Sequence, residues 1–160
     1  MKPPHRRLCP SANRGFTLVE VMIVVVIIAL LAALAIPAFQ RVRRAAQNSR
    51  IENDLRVFSQ AFETYAAEKG SWPANVGPGI VPTGMAGTFK TTVWQAPTEI
   101  GGTWNWDTGI SGITAGISIS GFTCDDMQLT EIDAKIDDGD LTTGNFQKVQ
   151  PTRVTLILQL

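Results

Sequence analysis

Three groups of residues in this sequence have types and spacings suited to chemistry. The first is Glu20, a carboxylate at the edge of residues 21–39 (VMIVVVIIALLAALAIPAF), which carry no charged or polar side chain. A carboxylate within a bilayer costs on the order of 2.5–3.5 kcal/mol, and less near the interface, so it calls for a named partner. The alternative is a carboxylate at headgroup level, favoured by the positive end of a helix. Spacing alone leaves both open. The second group is Asp133, Asp137, Asp138 and Asp140. Their oxygens suit calcium, but EF-hand spacing is absent, and a chain reversal at Asp138-Gly139 accounts for the same residues. The expectation is no cofactor, with calcium as the alternative. The third group is Trp94, Trp104 and Trp106. Trp104 and Trp106 would share one face of a strand, the geometry of a sugar platform. They are read instead as the cover of an apolar helix stripe.

No catalytic constellation accompanies these groups. The only histidine is His5. There is no G-x-S-x-G, no P-loop, no Cys/His pair and no paired carboxylate in a recognisable frame. The chain is therefore read as no enzyme.

The elements that must position these residues begin with a membrane helix. About 20 apolar residues cross a bilayer core, and residues 21–39 supply such a run. A secretory signal would have an apolar stretch of about 7–15 residues and a small-x-small cleavage site. This run is longer and leads straight into a charged helical segment. Arg6, Arg7 and Arg14 precede it, while Arg41, Arg43 and Arg44 follow closely. The positive-inside count is nearly tied, and the first flank places the N-terminus in the cytoplasm. The arginines after the span either flank it as a stop-transfer signal or contact headgroups and acidic faces of neighbours.

The helical pattern then continues. Ile51, Leu55, Phe58, Phe62 and Tyr65 form one apolar face, as an amphipathic helix requires. Gly70 and Pro73 end it. One helix over residues 16–69 is expected, kinked or loosened at Pro37. Residues 71–88 read as an irregular loop. Gly, Pro, Thr and Ser punctuate short runs at 89–95, 103–107 and 112–120, and the alternation in TWNWD and AGISISG reads as short strands. Residues 124–137 read as a short helix, followed by a turn at 137–140 and a buried apolar strand at 153–160. The fold class is α+β: a long N-terminal helix, half membrane-spanning and half amphipathic, packed against a small, mainly antiparallel sheet. The expected domains are 1–15, 16–39, 40–70 and 71–160.

Charge excludes a further class. The 160 residues have a net charge of zero. Residues 1–15 hold Lys2, Arg6, Arg7 and Arg14 and no acid. Residues 71–160 hold nine acids against four bases. An acidic body argues against nucleic-acid binding, and a basic start fits a membrane crossing from the cytoplasm.

The order Arg14-Gly15-Phe16-Thr17-Leu18-Val19-Glu20, the apolar run and Pro37 resembles the signal of type IV prepilins and pseudopilins. The resemblance implies a leader over residues 1–15 that prepilin peptidase removes between Gly15 and Phe16. Phe16 is then N-methylated. It implies that Glu20 pairs with the freed amine of a neighbouring subunit, and that Pro37 lies in the assembly helix. It implies a structural filament subunit, of a pilus-like or type II secretion-like assembly, with a pilin-like fold. The implied partners are the peptidase, sister subunits, an inner-membrane assembly platform and its ATPase. The implied location is the bacterial inner membrane, single-pass with the N-terminus cytoplasmic, and afterwards a periplasmic or cell-surface filament.

Two details qualify the resemblance. Arg6-Arg7 and Cys9 sit in the leader, but Cys9 has no apolar region before it, against a lipobox. With the leader gone only Cys124 remains, so no internal disulfide forms. The disulfide-closed loop of the best-known pilins is absent, which favours a pseudopilin-like subunit. Two alternatives remain. One is a minor pilin or competence-type pseudopilin that captures DNA or another ligand through Arg41, Arg43, Arg44, Arg50 and Arg56. The other is an exported enzyme on a pilin-like anchor.

Overall fold

The computed structural model describes residues 15–110 and 112–160. The leader and its arginines, with His5 and Cys9, otherwise lie outside the described residues. In chain order the elements are α1 (Leu18–Lys69), α2 (Thr91–Gln95), β1 (Thr103–Ile110), β2 (Ile113–Ser120), α3 (Asp126–Ile136), β3 (Phe146–Gln150) and β4 (Arg153–Gln159). The chain divides into two compact units, Met1–Arg41 and Val42–Leu160.

The described part of the first unit is the apolar half of α1. None of its most apolar stretch is buried within the protein. Many of these residues are β-branched and intrinsically strand-prone. A helix nevertheless suits them, because in an apolar solvent every backbone donor must find its acceptor within the segment. A helix apolar on every side belongs in lipid or among other helices. Pro37 lies within α1, which continues through it. It withholds one N–H from the helix, and the helix runs on regardless.

The second unit is built on the other half of α1. Ile51, Leu55, Phe58 and Phe62 are buried, at steps of four, three and four. This stripe packs on an antiparallel sheet of strand order β1-β2-β4-β3. Trp104, Ile119 and Val154 form one cross-strand row, and Trp106, Ile117, Leu156 and Phe146 form the next. All of these except the partly buried Leu156 belong to the buried core. Burying each side chain of this size is worth about 1.5–3 kcal/mol. The opposite face of the sheet is polar. There Ser118 donates to Asp107 and shares a hydrogen bond with Thr155, and Arg153 pairs with Asp107 at 3.3 Å.

Several expectations need correction. α1 begins at Leu18 rather than Phe16, because Thr17 caps it. The short run at 89–95 carries a helical turn, Thr91–Gln95, in which Trp94 N–H and Val93 N–H both donate to the Lys90 carbonyl. Tertiary packing decides this: Trp94 is fully buried, and its indole donates to the Ile80 carbonyl. β3 was not anticipated. Its sequence FQKVQ alternates weakly, and pairing with β4 makes it a strand. β1 extends past Asp107 to Ile110 because β2 pairs along its whole length. α1 ends at Lys69, with Gly70 at φ 71° closing it.

Candidate functional site

At the start of α1, Thr17 and Glu20 cap each other. The Glu20 N–H donates to Thr17 Oγ1 at 3.2 Å. Glu20 Oε2 accepts from the Thr17 N–H and from its hydroxyl, both at 3.0 Å. This is a capping box, T-x-x-E before an apolar run. The sequence carries that signal in Thr17 and Glu20. The arrangement satisfies orphan donors at the helix start and turns the carboxylate back toward Phe16. Phe16 is 84% exposed. Among the described residues, nothing lies within 4 Å of where a Cβ on Gly15 would be.

The arginines after residue 40 divide into two kinds. Arg41, Arg43 and Arg56 are exposed. Arg44 instead binds Asp125 and lies 3.8 Å from Glu131, and Arg50 binds Glu99. Asn48 lies beneath them, buried. It donates to Glu131 at 2.9 Å and accepts from Gln128 at 2.9 Å. The contacts of Arg44 and Asn48 fasten α3 and its N-cap to α1, and Arg50 ties α1 to Glu99. Asp125 is also the N-cap of α3, accepting from the Gln128 N–H. Sequence reasoning missed this network, because its partners lie from 49 to 83 residues apart.

The tryptophans are core. Trp94, Trp104 and Trp106 are all buried, and Phe58 meets Trp94 and Trp104 edge-on at ring-centroid distances of 5.0 and 5.1 Å. Such pairs add about 0.5–1.5 kcal/mol beyond area burial. No sugar platform is left exposed by them.

The acid cluster sits where α3 ends. One oxygen from each of Asp133, Asp137 and Asp138 lies within 4.8 Å of the others. Asp133 is fully buried, and neither of its carboxylate oxygens has a hydrogen-bond partner. Burial first, and then the charges of Asp138, Asp137 and Asp140, push its carboxyl up to about 6. The loop that follows folds on the other carboxylates. Asp137 accepts from the N–H groups of Asn145 and Phe146. Asp138 accepts from the Asp140 N–H at 2.9 Å and the Thr143 hydroxyl at 2.7 Å. Asp140 turns away from the cluster and accepts from the Thr142 N–H and hydroxyl. A side chain at Gly144 would collide with the Asp137 carboxylate.

Comparisons with known proteins bear on the N-terminal site and on the fold. Residues 10–36 match the family described as the prokaryotic N-terminal methylation motif. Fimbrial protein EcpC of Eikenella corrodens is 39% identical over 74 residues, which make up 46% of this chain and 48% of that protein. Type IV major pilin protein PilA of Myxococcus xanthus (strain DK1622) is 44% identical over 57 residues, 36% of this chain and 26% of that protein. Type IV major pilin protein PilE1 of Neisseria gonorrhoeae is 35% identical over 86 residues, 52% of each. The chain thus spans about half the length, or less, of the curated relatives it matches. The solved structure of the major type IV pilin PilA1 from Clostridium difficile superposes with a TM-score of 0.53 at 15% identity. That superposition covers 74% of this chain and 98% of the other, a likeness of fold.

Proposed function

We propose that this chain, type IV pilin-like in its N-terminal motif and in its fold, is the precursor of a structural subunit of a type IV pilus-like or type II secretion-like filament. One observation carries this reading: none of the most apolar stretch of α1 is buried among the described residues, with Glu20 as the acid of the helix's first turn. Such a surface needs an apolar surrounding, first lipid and then the helices of sister subunits.

Prepilin peptidase hydrolyses the Gly15–Phe16 bond and frees an amine at Phe16, which is then methylated. The new cation sits beside the segment toward which Glu20 already faces. In a bundle of low dielectric, an unpaired carboxylate and an unpaired amine are both costly, and pairing them between neighbours offsets that cost. Glu20 is held by its own Thr17 in the single subunit, so assembly exchanges that partner for a neighbour's amine. Subunits wait in the inner membrane with their N-termini cytoplasmic and are drawn into the filament by an assembly platform and its ATPase. Arg44 and Arg50 are engaged by acids of the same chain, which leaves Arg41, Arg43 and Arg56 to the DNA-capturing alternative, on an exported body that is acidic.

The test is the mass of the N-terminus of the protein isolated from cells with and without the peptidase. The expected product begins at Phe16 and carries one extra methyl group. A chain that keeps residues 1–15 beside an active peptidase would sink the proposal.

A further inference from the structure

We infer that the second unit binds one small zwitterion, a free α-amino acid, in the pocket between residues 75–78 and the polar face of the sheet. The starting point is Asn105. Side chains alternate along β1, so Asn105 and Asp107 point away from the tryptophan core. Both are nonetheless buried, at 2% and 3% exposure. Asn105 Nδ2 donates to Asp107 Oδ1 at 2.7 Å, while Asn105 Oδ1 has no partner. Turning the amide over would set its oxygen against a carboxylate, which accepts and cannot donate. The orphan is therefore an acceptor, and buried acceptors are nearly always satisfied.

Arg153 supplies the opposite pole. Its Nε donates to Ser120 Oγ at 3.0 Å, and its Nη1 to Asp107 at 3.3 and 3.5 Å. Among the described residues Nη2 makes no hydrogen bond, and the side chain keeps 21% of its surface in water. Asn105, Asp107 and Arg153 line a pocket of about 310 Å³ together with residues 75–78. That is the small end of the range for ligand pockets, about 300–1,000 Å³. Residues 75–78 are anchored on either side. The Pro73 carbonyl accepts from the Trp106 indole at 3.0 Å, and the Gly79 N–H donates to the Trp104 carbonyl at 2.7 Å. Between these anchors they make no backbone hydrogen bond to β1 among the described residues, so they can yield to a ligand that reaches the Asn105 oxygen.

The lining selects the class. A simple anion would meet Asp107 and the Asn105 oxygen, and a simple cation would meet Arg153. The floor is dipolar, with acceptors on β1 and a donor on β4. A molecule that carries an ammonium and a carboxylate side by side matches it. The ammonium donates to Asn105 Oδ1, backed by the Asp107 charge, and the carboxylate accepts from Arg153 Nη2. Both are charge-assisted bonds, the stronger kind. Val76 and Pro78 give an apolar wall for the rest of the molecule. No aromatic ring lines the pocket, so a sugar has no platform to stack on. An extended peptide would need the free edge of β1, where Gly79 already takes the Trp104 carbonyl. The pocket lies within one subunit and is independent of the filament reading.

The test is calorimetric titration of the whole chain in detergent micelles with glycine, L-serine, L-valine and L-leucine, and then with N-acetyl-L-valine, L-valinamide and glucose. The expected result is saturable binding of one amino acid per chain. L-valine should bind at least about tenfold more tightly than either blocked form, since each gives up a hydrogen bond involving a charged group. Glucose should show no saturable binding. Arg153→Lys keeps a charge for Asp107 but loses the planar fork, and should weaken L-valine binding about tenfold or more. Asn105→Ala should do the same, with a melting curve to check that the chain still folds. Thr64→Ala, on α1 and outside the pocket, should leave binding unchanged. Failure of all four amino acids to bind saturably at millimolar concentration, equal binding of L-valine and its blocked forms, or undiminished binding in Arg153→Lys overturns the inference.

Discussion

The indole of Trp106 lies flat on the ring of Phe62, with centroids 3.9 Å apart and planes 9° from parallel. This stack joins β1 to α1 at the centre of the core. The same indole donates to the Pro73 carbonyl at 3.0 Å and so fixes the irregular loop that follows α1. Trp106→Ala should lower the unfolding free energy by about 3–5 kcal/mol. Trp106→Phe keeps much of the stack and leaves the Pro73 carbonyl to the Thr108 hydroxyl, 3.2 Å away, so it should cost only about 0.5–1.5 kcal/mol for the lost hydrogen bond. Denaturant titration of the chain in micelles measures both.

Asp125 ties two elements together, as N-cap of α3 and as partner of Arg44. The Gln128 N–H, and then Arg44, hold its carboxyl below the usual range. A carboxyl lowered on folding stabilises the protein above its unfolded pKa, and that contribution is lost as pH falls through the folded value. Asp125→Ala should lower the melting temperature at neutral pH and change it little in strong acid. Asp125→Asn keeps a capping oxygen and should lie between the two. Thermal melts from pH 7 down to pH 2 check the order.

Cys124 is half-buried and free. Burial, and then the charge of Asp125, push its thiol up to about 11. Only the thiolate reacts, and a rise from 9.0 to about 11 leaves about 100-fold less of it at pH 7, so alkylation should be far slower than for an unfolded chain. Iodoacetamide labelling followed by mass spectrometry, with and without denaturant, reads the ratio. Equal rates would contradict the placement of this side chain.

Glu20 gives the functional prediction. Glu20→Ala removes the carboxylate and should leave a chain that inserts in the membrane and is processed, yet fails to enter filaments beside wild-type subunits. Glu20→Asp, one methylene short, should assemble poorly. Co-expression with tagged wild type and quantification of sheared filaments separates the outcomes. Normal incorporation of Glu20→Ala would refute the pairing.

By itself the sequence determined what depends on neighbours along the chain. An unbroken apolar run of bilayer length requires a helix in an apolar medium whatever follows it, so residues 21–39 were legible without coordinates. The stripe Ile51, Leu55, Phe58 and Phe62 was legible too, because helical periodicity is written in spacing. So were the stop at Gly70, the reversal at Asp138-Gly139 and the apolar final strand. The Thr17–Glu20 cap was also local, and it was there to be read. What tertiary structure decided was every outcome that hangs on partners distant in the chain. Residues 91–95 are β-prone, yet they coil because Trp94 must reach both the core and the Ile80 carbonyl. FQKVQ becomes a strand only because β4 offers an edge. Arg44 reads as a membrane flank until α3 brings Asp125 to it. The four aspartates near α3 look alike in sequence. Packing alone singles out Asp133 by removing it from water with nothing to accept its charge, because desolvation depends on what surrounds a group in space and not on the residues beside it in the chain.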